Sequence, residues 1–176
     1  GAWQTADAYL SGAVRTKLKL AEAAAALDPM FARNDEALRE VQPVDLKPSD
    51  ITARLGAPWI PAADIVAFVA EVMDTSIVIH HTPELACWTV EARQLESLAA
   101  GTSEWGTHRR HAGLLLSDAL NSSIPQIFDT VRDGVTERRI LNSEATEAAK
   151  EKLAKIKSAF QAWIWTDPDR TDRLAR

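Results

Sequence analysis

Residues 126–163 read QIFDTVRDGVTERRILNSEATEAAKEKLAKIKSAFQAW, and the two halves of this stretch obey different periodicities. The first half holds two short β-rich runs, QIFDTVR and VTERRIL, on either side of Asp133-Gly134. That dipeptide suits the type I′ turn of a tight antiparallel hairpin. In the second half Ala149, Leu153, Ile156, Phe160 and Trp163 recur at three-to-four spacing, the buried stripe of an amphipathic helix. Ser143 reads as its N-cap, with Glu144 and Glu147 near its positive end. A hairpin feeding a long amphipathic helix makes the chain α+β.

Working outward, Asp167-Pro168 stops that helix and starts another, with Asp167 as cap and Pro168 in the first helical position. Upstream lies SEWGTHRRHAGLLL, residues 103–116, predicted to become helical near Thr107, its cap, and to run to about Leu120. A second hairpin precedes it, built from Ile77-Val78-Ile79 and LACWTVEA and joined by His81-Thr82-Pro83-Glu84. Residues 43–73 are cut by four prolines and one glycine. Ser49 suits the N-cap of a helix closed by Gly56, and Pro61 the first turn of another whose face is Ile65, Phe68, Val69 and Val72. Trp59 and Ile60, pinned between prolines, read as a plug into the core. At the N-terminus Thr5 caps a short turn, Ser11-Gly12 interrupts, and Val14, Leu18, Ala21 and Ala25 mark a helix ended by Asp28-Pro29. Another helix spans about Asn34 to Val41. The predicted architecture is α+β, predominantly helical, with a small antiparallel sheet of about four strands built from the two hairpins.

With 176 residues, 46% hydrophobic and 26% charged, the chain matches an ordinary globular domain, read here as a single domain over 1–176. It starts without Met and stops at Arg176 within a helical pattern, which reads as an internal fragment of a longer protein. One cysteine, Cys87, excludes an intrachain disulfide and agrees with a cytoplasmic setting. No apolar run approaches the roughly 20 residues that span a bilayer. The net charge of -5 hides a gradient: residues 61–104 carry seven acids and one base, residues 105–176 ten acids and twelve bases. Any polyanion contact therefore falls in the last third.

No complete catalytic set is present, and neither GxxxxGK[ST] nor GxGxxG occurs. His108 and His111, with His80, His81 and Cys87, are the nearest approach to a zinc site, but the adjacent pair on a strand points to opposite faces and no CxxC or HExxH accompanies them. They read as surface histidines, with no metal and no cofactor in this segment. Cys87, alternating with Trp88, reads as a small buried side chain rather than a nucleophile. Glu151 and Lys155 form an i,i+4 pair on a solvated helix face. The physically supported function is contact with DNA by Arg109, Arg110, Arg138, Arg139, Lys150 and Lys157 on one face. Against it stands internal pairing of Arg109 with Glu104 or Asp118. Trp163 and Trp165, two apart, cannot share a helix face, so one caps the core and the other is a candidate docking contact.

Four phrases, WQTADAYLSGAVRTKL, VQPVDLKPSDITARLGAPWIP, WGTHRRHAGLLLSDALN and FQAWIWTDPDRTDRL, occur in this order from Trp3 to about Leu174. In them the chain resembles a region of very large methylase-helicase proteins of phages, plasmids and integrative elements, a family that includes the defence-against-restriction antirestriction proteins. Trp105, Gly106, Thr107, Arg109, Leu115, Ala119, Leu120 and Asn121 fit that family's pattern, while His111 departs from it. The resemblance implies a segment lying between an N-6 adenine DNA methyltransferase region and a superfamily 2, Swi/Snf-like helicase region. It implies S-adenosylmethionine and ATP for the parent only, and those neighbouring regions as partners. The expected role is a noncatalytic spacer or DNA-guiding module; the alternative is a docking scaffold without nucleic-acid contact.

Overall fold

A computed structural model describes residues 4–44, 47–134 and 136–175, with two compact units at Gly1–Leu46 and Lys47–Arg176. Trp3, which opens the first family-like phrase, and the side chain of Ser49 lie outside the described residues.

The first unit is helical. Helix α1 (Ala6–Tyr9) is capped by Thr5, α2 spans Val14–Leu27 and α3 spans Ala32–Glu40. Gly12, at φ 75°, makes the break between α1 and α2, a conformation that a side chain would oppose. Asp28 ends α2 and accepts a hydrogen bond from the Met30 amide, which turns the chain toward α3. Ala21 of α2 and Leu38 of α3 are buried.

The second unit holds α4 (Ala62–Met73), β1 (Val78–Thr82), β2 (Cys87–Glu91), α5 (Ala112–Leu120), β3 (Phe128–Asp133), β4 (Thr136–Leu141), α6 (Ser143–Trp163) and α7 (Pro168–Leu174). All four expected strands form, and they remain two separate antiparallel pairs, β1-β2 and β3-β4. The class is α+β. The core is the packing of the α4, α5 and α6 stripes: Phe68 meets Phe160 edge-on at 5.2 Å and Trp163 at 5.5 Å, over Leu115, Leu116, Leu153 and Ile156. Each such side chain contributes roughly 1.5–3 kcal/mol on burial.

The β1-β2 hairpin joins this core through Trp88 and Ile79. Asn121, just past α5, exchanges two 2.9 Å hydrogen bonds with the backbone of Trp88, donating to its carbonyl and accepting from its amide. Strand alternation turns Cys87 outward when Trp88 turns in, so the expectation of a buried Cys87 is corrected: it is exposed. Trp59 is corrected likewise. Ile60 enters the core while Trp59 stays 44% exposed.

Three helix boundaries also differ from the sequence reading. Residues 49–56 form only a short 3-10 turn, Pro48–Asp50, followed by irregular chain, because Gly56 at φ 86° presses against the end of α5. A Cβ there would sit 2.1 Å from the Leu120 carbonyl oxygen. Helix α6 is capped by Asn142, whose side chain accepts from the Ala145 amide at 2.8 Å, with Ser143 as its first helical residue. Helix α5 starts at Ala112, not near Thr107. No helix among the described residues is long and apolar enough to cross a membrane.

Candidate nucleic-acid interface

The segment between Trp105 and His111 is a folded-back turn rather than a helix start. Thr107 donates its amide to the Arg110 carbonyl at 2.9 Å and accepts the Arg110 amide at 3.1 Å, which leaves His108 and Arg109 at the tip. Gly106 sits where no side chain fits, since a Cβ would lie 2.1 Å from the Gly101 carbonyl oxygen and 2.5 Å from the Ala112 nitrogen. The reason for the turn is visible at Arg110. Its guanidinium donates to both carboxylate oxygens of Asp118, at 2.6 and 2.7 Å, and Asp118 is only 5% exposed. Ser123 adds a third bond to the same carboxylate at 2.8 Å. This anchor pulls residue 110 down along α5 and keeps it out of the helix.

Arg109 leaves in the other direction. It donates to Asp129 at 2.8 Å and to the Phe128 carbonyl at 3.1 Å. That hydrogen bond, followed by one from Asn142, holds the Asp129 carboxyl below its ordinary pKa. The expected acid for Arg109 was Glu104 or Asp118; the fold assigns Asp118 to its neighbour. Both arginines lie outside the first turn of α5, so the macrodipole conflict raised by the sequence does not arise.

Arg138 and Arg139 stand on β4, where they face Val131 and Thr130 across the pair. Successive strand residues point to opposite faces, so these two guanidiniums point apart. Neither has an ion-pair partner among the described residues, and Arg139 lies 4.7 Å from the Phe128 ring centroid. Lys150 pairs with Glu147 at 2.8 Å. The six basic residues singled out by sequence therefore do not share one face. The Glu151–Lys155 pair is replaced as well: Lys155 donates to the Glu104 carbonyl at 3.1 Å and lies 4.1 Å from the Trp105 ring centroid.

Trp163 is core. It is 8% exposed, donates its indole N–H to Glu71 at 2.6 Å, and carries the Arg170 guanidinium 3.5 Å from its ring centroid. It presents no docking surface. Trp165 is half-buried and lines a shallow cavity of about 240 Å³ with Pro48, Ile51, Thr52, Ala53 and Gln161. A neighbouring cavity of about 300 Å³ shares Gln161 and adds Arg54, Leu55, Ala119, Ser122 and Lys157. Sequence reasoning named Lys157 but missed Arg54, because residues 49–56 read as a helix with no neighbour assigned. The visible signal was the spacing Lys157, Gln161, Trp165, one turn apart each.

The histidines take separate places. His81 stacks on Trp88 with 4.0 Å between ring centroids, His80 is its neighbour on β1, and His108 is exposed at the turn tip. His111 precedes α5, its Nδ1 buried without a hydrogen-bond partner among the described residues.

Residues 54–176 match a family described as Domain of unknown function (DUF8437). No curated protein and no solved structure matches the chain.

Proposed function

The chain belongs to the DUF8437 family, whose description names no activity, and from its geometry we propose a noncatalytic, DNA-guiding module. Its setting in this reading is the cytoplasm and a methylase-helicase protein of phages or mobile elements, between the two enzyme regions, as the phrases from Trp3 to Leu174 suggest. The observation that carries the DNA contact is the β3-β4 ribbon: every residue of β4 is exposed, and Arg138 and Arg139 stand on it without acidic partners among the described residues. A two-stranded ribbon fits the major groove, and one arginine on each face reaches the two groove walls. Arg109 supports the ribbon from below by its bonds to Phe128 and Asp129.

A second reading draws on the same ribbon. Phe128, Val131, Ile140 and Leu141 are between 36% and 51% exposed, an apolar surface suited to docking on a protein.

Binding to labelled duplex DNA across a salt series separates the two. The DNA reading expects affinity to fall with a log-log slope of roughly -0.9 per phosphate neutralised. Arg138→Ala/Arg139→Ala should remove about two such contacts from the slope. Arg109→Ala/Arg110→Ala should act instead through stability. No binding at low salt, or binding indifferent to Arg138 and Arg139, sinks the DNA contact and leaves the docking scaffold.

A further inference from the structure

The paired cavities around Gln161 carry a different chemistry from the ribbon. We propose that they form one groove for a nucleotide unit, its phosphate held by Arg54 and Lys157 and its base laid against Trp165. Neither the Arg54 guanidinium nor the Lys157 ammonium has a hydrogen-bond or ion-pair partner among the described residues, and among these no carboxylate lines the cavity they share. Other lysines of this chain show what a structural role looks like here. Lys152 donates to the carbonyls of Ser103 and Glu104, and Lys17 to those of Ala8, Tyr9 and Ser11. Lys157, on the same helix as Lys152, makes no such bond among the described residues.

Two cations facing one concavity without a counter-charge raise the local potential and concentrate anions there. The rest of the lining extends that preference. Ser122 supplies a hydroxyl and Gln161 an amide, both able to donate to phosphate oxygens. Gln161 is also the wall common to both cavities, so a ligand gripped by Lys157 continues past it onto Trp165 and Pro48. An indole face beside a phosphate clamp is the pairing that single nucleotides and unpaired strands use, with stacking that tolerates any base. At about 300 and 240 Å³, the two halves together reach the size range of small-ligand sites. The shared chemistry is a nucleoside phosphate, either free or as one unit of a single strand.

The test is calorimetric titration of the full chain with four probes: inorganic phosphate, a nucleoside, the corresponding nucleoside monophosphate, and a short single-stranded oligonucleotide. The monophosphate should bind more tightly than phosphate or nucleoside alone. Lys157→Glu and Arg54→Ala should each weaken it by about tenfold or more, and Trp165→Leu should cut its advantage over phosphate by a similar factor. All three side chains are at least partly exposed, so thermal unfolding of each variant should stay near wild type. Competition between oligonucleotide and monophosphate assigns the strand as the source; binding of the monophosphate alone assigns a free nucleotide. Absence of saturable monophosphate binding, or binding unmoved by Lys157→Glu, overturns the groove assignment. Equal affinity for phosphate and monophosphate, with Trp165→Leu silent, overturns the role of the base. Since the ribbon reading is measured with duplex DNA and Arg138 and Arg139, either can fail without the other.

Discussion

Arg109 and Arg110 are adjacent in the chain, yet their guanidiniums are held by acids of different elements and in different surroundings. Asp118 is nearly buried, so its charge depends on Arg110 and Ser123 to replace lost water. Asp129 and Arg109 are both more than 40% exposed at their side chains, and solvent screens that pair. Arg110→Ala should therefore cost about 3 kcal/mol or more, since it strands a buried carboxylate. The loss from Arg109→Ala should be clearly smaller. Denaturant unfolding of both variants decides it, and equal losses would contradict the assignment. The arginines themselves were legible in the sequence as a paired feature. Their partners were not, because a guanidinium reaches whatever acid the fold brings near, and the sequence offered Arg109 both Glu104 and Asp118.

At the scale of elements, one residue serves both the β3-β4 ribbon and α6. Asn142 accepts from Ala145 to cap the helix and donates to Asp129 at 2.7 Å to hold the strand below it. Asn142→Ala should lose the cap, worth about 1 kcal/mol, and loosen Asp129. The acid limb of the stability curve reports the second effect. The Asp129 carboxyl titrates lower in the folded chain than in the unfolded one, owing first to Arg109 and then to Asn142. Its contribution is complete above the unfolded value and is lost as pH falls through the folded one. The stability gap between wild type and Asn142→Ala should thus be widest near neutral pH and narrow in acid. A gap that widens in acid would refute the sign. The periodicities that mark the hairpins and the stripe of α6 are local, so these elements could be read directly. Residues 49–56 could not: Ser49 and Gly56 carry helix signals, and only the fold shows Ala53 and Leu55, two apart, both buried and Gly56 close against Leu120.

In the second unit, the chain end is tied to residues far away in sequence. Trp163 donates to Glu71 and Arg173 grips Asp64 through two bonds of 2.7 and 3.1 Å. Beside Asp64 the Arg173 guanidinium keeps its proton to a higher pH than usual. Between them Arg170, 9% exposed, donates to the carbonyls of Trp163 and Ile164 and to the Thr166 hydroxyl. It closes the end of α6, where carbonyls lack helical partners. Arg170→Ala should strand the buried Ile164 carbonyl, while Thr166 still donates to that of Trp163, at a cost of about 1–3 kcal/mol, and Arg170→Lys should recover little, since an ammonium lacks the planar fork. Thermal unfolding followed by tryptophan fluorescence measures both. A neutral Arg170→Ala would mean that α7 adds nothing to the unit's stability.

The sequence by itself determined the α+β class, the four strands, the stripe from Ala149 to Trp163 and the caps at Thr5 and Asp167. Each of these is set by residues within a few positions of one another, through the side-chain period and the unpaired backbone groups at helix ends. Tertiary structure alone decided that Arg110 takes Asp118 and Arg109 takes Asp129, that Trp163 is buried while Trp165 borders a cavity, and that Arg54 and Lys157 line one cavity. Charges and aromatic rings act at whatever separation folding leaves them, and packing brings together positions as distant in the chain as Asp64 and Arg173.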